Sequence, residues 1–187
     1  MSRRRWWYRG APMEGWLRSL VLLGGALVAV GCGYHLVGTA STLPEGVGTL
    51  FVERFQNQTR FIDMDQRVDE ALSMEWVRRR RLQLVDDRKG ADLVLSGVIL
   101  NLGIAPVSFD EQGRATEYQM SLTTSVRLFD VRTSEPMLLW EDLAFSRRTS
   151  YLVDPNAADY FDRQVLAMDR LAEDYAAALV SAVLEGF

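Results

Sequence analysis

Between Thr116 and Leu128 apolar and polar residues take turns. Tyr118, Met120, Leu122, Val126 and Leu128 alternate with Glu117, Gln119, Ser121, Thr123, Ser125 and Arg127. Successive side chains of an extended strand point to opposite faces, so a period of two puts an apolar rank on one side and a polar rank on the other. A helix would scatter both sets around its circumference. The run therefore predicts a strand with one face on a core and the other facing water or a polar partner.

The flanking segments extend this strand into a sheet. Ala91 to Leu102 is almost continuously apolar, which predicts a central strand. Pro106 to Gly113 reads as a loop, with Asp110-Glu111-Gln112-Gly113 as a hairpin tip. Thr133-Ser134-Glu135-Pro136 turns the chain again. Met137 to about Tyr151 is the last strand, with Leu139, Leu143 and Phe145 expected on one face and Trp140 on the other. A first strand, Thr49 to Phe55, is β-branched and aromatic and stops at the polar turn Gln56-Asn57-Gln58-Thr59.

Two helices complete the pattern. Asp63 or Asp65 is placed to cap a helix running to about Arg81, whose apolar positions Met64, Val68, Ala71, Leu72 and Trp76 form one stripe. The second spans about Asp159 to Leu184, with Phe161, Val165, Met168, Ala172, Tyr175, Leu179 and Ala182 stepping by four and three. Leu82 to Val85 leads toward the next strand, and Asp86 to Gly90 is a turn. The expected fold is α+β: two helices packed on one face of a small, mostly antiparallel four-stranded sheet, in the order strand, helix, three strands, helix.

The N-terminal end has a different character. Arg3, Arg4, Arg5, Arg9 and Arg18 precede an apolar run, Leu20 to Gly31, that ends at Cys32, the only cysteine of 187 residues. The run is shorter than the roughly 20 residues a spanning helix needs and matches a signal-peptide core. Basic head, short apolar segment, small residue and cysteine form the layout of a bacterial lipoprotein signal. Residues 1–31 then form a removed leader, 32–46 a lipid-anchored linker, and 47–187 one domain. Met13 is an alternative start, and Ala29 stands where such signals carry leucine. Acyl chains on Cys32 would anchor the protein, each buried methylene contributing about 0.8 kcal/mol.

Charge and cysteine count exclude several functions. The chain has 21 basic and 25 acidic residues, and loss of a leader holding five arginines and one glutamate leaves a net charge of −8. Such a domain is a poor ligand for nucleic-acid phosphates. With one cysteine and one histidine, His35, both near the anchor, no Ser/His/Asp or Cys/His set forms. No metal site, no cofactor and no enzymatic function are expected. Arg78-Arg79-Arg80-Arg81 could hold a phosphate, but cations also suit a helix C-terminus.

Two motifs carry a family resemblance. Cys32-Gly33-Tyr34-His35-Leu36-Val37-Gly38 resembles the mature start of lipopolysaccharide-assembly lipoproteins of the LptE family. Ala115-Thr116-Glu117-Tyr118-Gln119-Met120 is similar to a segment of the same family. The resemblance spans roughly residues 32–185. It implies a lipoprotein of the outer membrane, on its periplasmic side, that binds and plugs the LptD β-barrel and helps deliver lipopolysaccharide to the outer leaflet. Phosphates of lipopolysaccharide would meet basic side chains. Arg114 beside the hairpin tip, and Arg147 and Arg148 in the last strand, are the candidates. Phe55-Gln56-Asn57-Gln58-Thr59 keeps open a second reading, a periplasmic lipoprotein that activates a peptidoglycan synthase.

Overall fold

The computed structural model describes residues 43–154 and 160–185, all within one compact unit, Ala40–Phe187. The leader, Cys32, His35 and most of the expected linker lie outside the described residues. The elements, in order, are β1 (Thr49–Val52), β2 (Gln56–Asn57), α1 (Met64–Arg79), β3 (Gln83–Leu84), β4 (Leu93–Phe109), β5 (Ala115–Asp130), β6 (Met137–Leu152) and α2 (Tyr160–Glu185). A short 3-10 turn, Arg88–Gly90, precedes β4.

The sheet has six strands and is mixed, where four mostly antiparallel strands were expected. Its order is β3-β1-β4-β5-β6, with β2 also on β4. β4, β5 and β6 form an antiparallel meander, whereas β1 and β2 run parallel to β4, and β3 runs parallel to β1. The parallel part arises because α1 returns the chain to the same end of the sheet, as a crossover must.

The expected first strand is broken in two by one aromatic ring. After Glu53 the chain turns Phe55 inward, and the ring lies on Gly97 of β4. A Cβ at Gly97 would stand 2.1 Å from Phe55 Cε1, so only glycine leaves room for it. Phe55 then meets Tyr175 of α2 edge-on at 6.4 Å, Tyr175 meets Phe145 of β6 at 5.5 Å, and Phe145 meets Trp140 at 6.5 Å. This aromatic chain crosses the inner face of the sheet beneath α2.

The helices supply the rest of the core. All five expected α1 positions are buried. Along α2 the buried stripe is Ala167, Leu171, Ala172, Tyr175, Ala176, Leu179, Val180, Val183 and Leu184. Val165, expected on that stripe, is 44% exposed. Phe161 lies outside the residues whose side chains are described. Both helices join one cluster with Met120, Leu122, Val126 and Leu128 of β5, so they share one face of the sheet, as expected. Asp63 occupies the α1 N-cap position without a side-chain capping bond. Asp65 lies inside the first turn.

Two expectations on the meander need correction. β4 continues through Pro106 to Phe109, where a loop was expected; bulges near Pro106 and Ser108 let the ladder pass a residue that lacks an N–H. In β6 a bulge lies where Thr124 pairs with Phe145 and Val126 with Asp142. It shifts the alternation, so Trp140 joins Phe145 on the inner face and Leu143 is 55% exposed.

Candidate functional site

The face of β4–β5–β6 turned away from both helices carries the polar rank of β5. Ser121, Thr123, Ser125 and Arg127 stand there opposite Gly103, Asn101, Val98 and Ser96 of β4. On the other side they meet Arg148 and Ser146, and Arg127 pairs with Glu141 at 3.3 Å. No helix among the described residues covers this face. It is a shallow surface of hydroxyls and small side chains, suited to hydrogen bonding with another polar wall.

One polar residue of β5 sits on the inner side. Thr124 is fully buried and donates to the Phe145 carbonyl oxygen at 3.3 Å, so it accepts from the Tyr175 hydroxyl at 2.8 Å. Burial pushes the Tyr175 hydroxyl well above the ordinary tyrosine range. This pair is structural, since it lies inside the core.

The three arginines singled out from the sequence do not converge. Arg147 projects to the inner face, with its guanidinium 4.8 Å from the Phe145 ring centre and donating to the Ser146 carbonyl oxygen. Arg148 is exposed on the open face, opposite Ser121, and forms no ion pair among the described residues. Arg114 sits at the β4–β5 hairpin, seven positions from Ser121, or roughly 23 Å along the strand. Its Nε is 2.9 Å from Asp110 Oδ2. The Arg114 backbone N–H, with help from its guanidinium, holds the Asp110 carboxyl below the usual carboxylate range. One of the two acids of the tip is thus paired with the tip's own arginine.

A second basic feature was not singled out from the sequence. Ser150, Tyr151 and Leu152 at the end of β6 face Arg163, Leu166, Ala167 and Arg170 at the start of α2 across a groove of ≈ 370 Å³. Leu152 and Leu166 are 65% and 58% exposed. Arg163 Nη1 reaches the Leu152 carbonyl oxygen at 3.4 Å. The groove therefore joins apolar surface to two cations. The spacing of seven between Arg163 and Arg170, around Leu166, is its only sequence signal, and it becomes meaningful once α2 is known to lie along β6.

Other motifs resolve into structural roles. Arg78 and Arg79 both pair with Glu75, which is only 6% exposed, at 2.5 and 2.8 Å. Arg80 ends the helix in a left-handed conformation. Asn57 accepts from Thr59 N at 2.9 Å and Thr59 Oγ1 at 2.8 Å and donates to the Phe61 carbonyl oxygen at 2.7 Å. The Phe-x-Asn-x-Thr segment is thus a turn that seats α1. Among the described residues no three His, Cys, Asp or Glu side chains gather as a metal site. None of the described helices is long and apolar enough to cross a membrane.

Comparison with known proteins decides the family. The family model "LptE: Lipopolysaccharide-assembly" matches residues 47–183, most of the chain. This protein belongs to the LptE family. The match begins two residues before β1 and ends within the last turn of α2, so the LptE model and the described fold coincide. No curated protein matches the chain. Among solved structures, the chain is similar to the hypothetical protein CT253 of Chlamydia trachomatis, at 14% identity and a TM-score of 0.50, covering 73% of this chain and 98% of that one. That likeness concerns the fold. A lipoprotein of Caulobacter crescentus matches at 12% identity and TM-score 0.49, over 72% of this chain and 86% of that one. The rare lipoprotein B of Shewanella oneidensis matches at 17% identity and TM-score 0.43, over 74% of this chain and 92% of that one. For this LptE-family chain the coarse role is that of a lipopolysaccharide-assembly lipoprotein.

Proposed function

We propose that this protein is anchored to the outer membrane through acylated Cys32, faces the periplasm, and plugs an LptD-like β-barrel during delivery of lipopolysaccharide to the outer leaflet. The family match over residues 47–183 carries this reading. The hydroxyl-rich open face supports it, because the lumen of a large outer-membrane barrel is polar and needs a polar plug. Lipopolysaccharide combines phosphates with acyl chains, and the groove of Arg163, Arg170, Leu152 and Leu166 offers both kinds of contact. Arg148 on the open face is the next candidate. Arg114 and Arg147 are less suited, since Asp110 and Phe145 already engage them.

Affinity capture of the full chain from detergent-solubilised outer membrane tests the assignment. Recovery of a large β-barrel is the expected result. Recovery of a penicillin-binding protein without a barrel would favour the peptidoglycan-synthase activator and overturn the plug. The double change Arg163→Glu and Arg170→Glu should lower co-purifying lipopolysaccharide while barrel capture persists. Cys32→Ala should move the protein from membranes to the soluble periplasm; retention of an unprocessed chain in membranes would overturn the lipid anchor.

A further inference from the structure

β6 ends the strand order, so one side of a 16-residue strand has no neighbour among the described residues. Native proteins usually protect such an edge with bulges or charges, because its open N–H and C=O groups invite another strand. β6 has both devices, but its charges are arranged in an unusual way. Glu141 and Asp142 precede the bulge, and Arg147 and Arg148 follow it.

We propose that β6 pairs antiparallel with β6 of a second copy of this chain, in the register that sets Glu141 opposite Arg148 of the second copy and Asp142 opposite Arg147. A two-fold axis perpendicular to the sheet keeps the two faces distinct, so paired residues must lie on the same face. In a regular strand, positions seven or five apart point to opposite faces. The bulge removes that mismatch. Glu141 stands opposite Arg127 and Arg148 opposite Ser121, both on the open face of β5; Asp142 stands opposite Val126 and Arg147 opposite Leu122, both on the packed face. The extra residue between them makes the edge complementary to itself.

The register is specific. Sliding by one residue reverses the faces. Sliding by two sets Glu141 opposite Ser146 or Ser150, and all four charges then stand opposite uncharged residues, so the ion pairs are lost. In the proposed register each pair occurs twice by symmetry, and opposite charges across a ladder are stabilising. Arg148, which has no ion pair among the described residues, gains the second copy's Glu141. Leu143, 55% exposed at the bulge, comes to the centre of the junction between the charge pairs. This inference does not rest on the barrel reading, and its failure would leave that reading intact.

The test uses the full chain in detergent micelles, with association followed by sedimentation. The unmodified chain should dimerise. Arg148→Glu and Glu141→Arg should each weaken association about tenfold or more, since each creates two like-charge contacts. An equimolar mixture of the two variants should associate as well as the unmodified chain, because each contact is then again an opposite pair. A monomeric unmodified chain, variants that associate unchanged, or a mixture no stronger than its components would overturn the proposal. Amide exchange on the unmodified chain gives a check independent of folding of the variants. β6 amides should exchange more slowly as concentration rises, and exchange that ignores concentration would overturn it.

Discussion

β5 and β6 are each 16 residues long and hydrogen-bonded along nearly their whole length, yet they obey different rules. β5 has neighbours on both sides and keeps a strict alternation, with Met120, Leu122, Thr124, Val126 and Leu128 buried. β6 has one neighbour, two irregularities in its register, and four exposed large apolar residues: Met137, Leu138, Leu143 and Leu152. A strand held on both edges cannot shift its faces without breaking two ladders. An edge strand can absorb an extra residue, and the pattern written in its sequence then changes sides partway along.

The sharpest way to break this contrast is to shorten matching leucines. Leu122→Ala in β5 should lose about 2–5 kcal/mol of stability. Leu143→Ala in β6 should stay within about 0.5 kcal/mol. Urea unfolding midpoints of the two variants, taken at concentrations where the chain is monomeric, measure both, and similar losses would mean that Leu143 is buried within the single chain.

The next comparison sets two glycines of β4 against each other. Gly97→Ala drives a methyl into the Phe55 ring and should cost about 1–3 kcal/mol. At Gly103 the nearest atom to an added Cβ is Ser121 Oγ at 3.0 Å, the end of a small side chain that can rotate, so Gly103→Ala should cost less. A double-mutant cycle with Phe55→Ala should show the Gly97→Ala penalty shrinking, as coupled neighbours do.

Within β5, Thr124→Val leaves the buried Tyr175 hydroxyl without its acceptor and should cost about 1–3 kcal/mol. Tyr175→Phe leaves Thr124 still donating to Phe145, so its cost should be nearer 1 kcal/mol. Ser121→Val, on the open face, should be close to neutral. Thermal unfolding of the three variants ranks them.

The smallest effect concerns acid. Gly48 N and Thr49 N donate to Asp92 Oδ2 at 2.8 and 3.0 Å. Chiefly through the Gly48 bond, they hold the Asp92 carboxyl below its ordinary value. A carboxyl lowered by folding stabilises the fold above its unfolded pKa of about 3.9, and that contribution disappears as pH falls through the lower folded value. Asp92→Asn should therefore be less stable than the parent near neutrality, with the gap closing below about pH 4. Asp69, which accepts from Phe55 N and is raised mainly by burial, acts with the opposite sign. Urea midpoints taken across the acid range measure the gap.

How far the sequence could be read follows the same division. The α1 stripe and the β5 alternation were legible because each residue's direction is set by local geometry alone. The break in the first strand was not, since it depends on Phe55 meeting Gly97, a contact between residues 42 positions apart. The parallel additions β2 and β3 are two residues each, too short for any periodicity. At the candidate site, Arg148 was legible as an exposed cation. The divergence of Arg147 from it needed the bulge-corrected register, and the groove of Arg163 and Arg170 needed α2 laid along β6. The family, by contrast, was legible from short motifs, and the model match over residues 47–183 establishes it.

β1 has a mechanical consequence. It lies between β3 and β4 and runs parallel to both, with Asp92 and Thr49 exchanging bonds at its N-terminal end. A pull applied from the N-terminal side of the chain enters the domain along β1. The force then runs along the strand and across its ladders, so the bonds to β3 and β4 share it together and cannot open one at a time. Pairing on both sides thus makes the first strand of the domain meet tension from that side in shear.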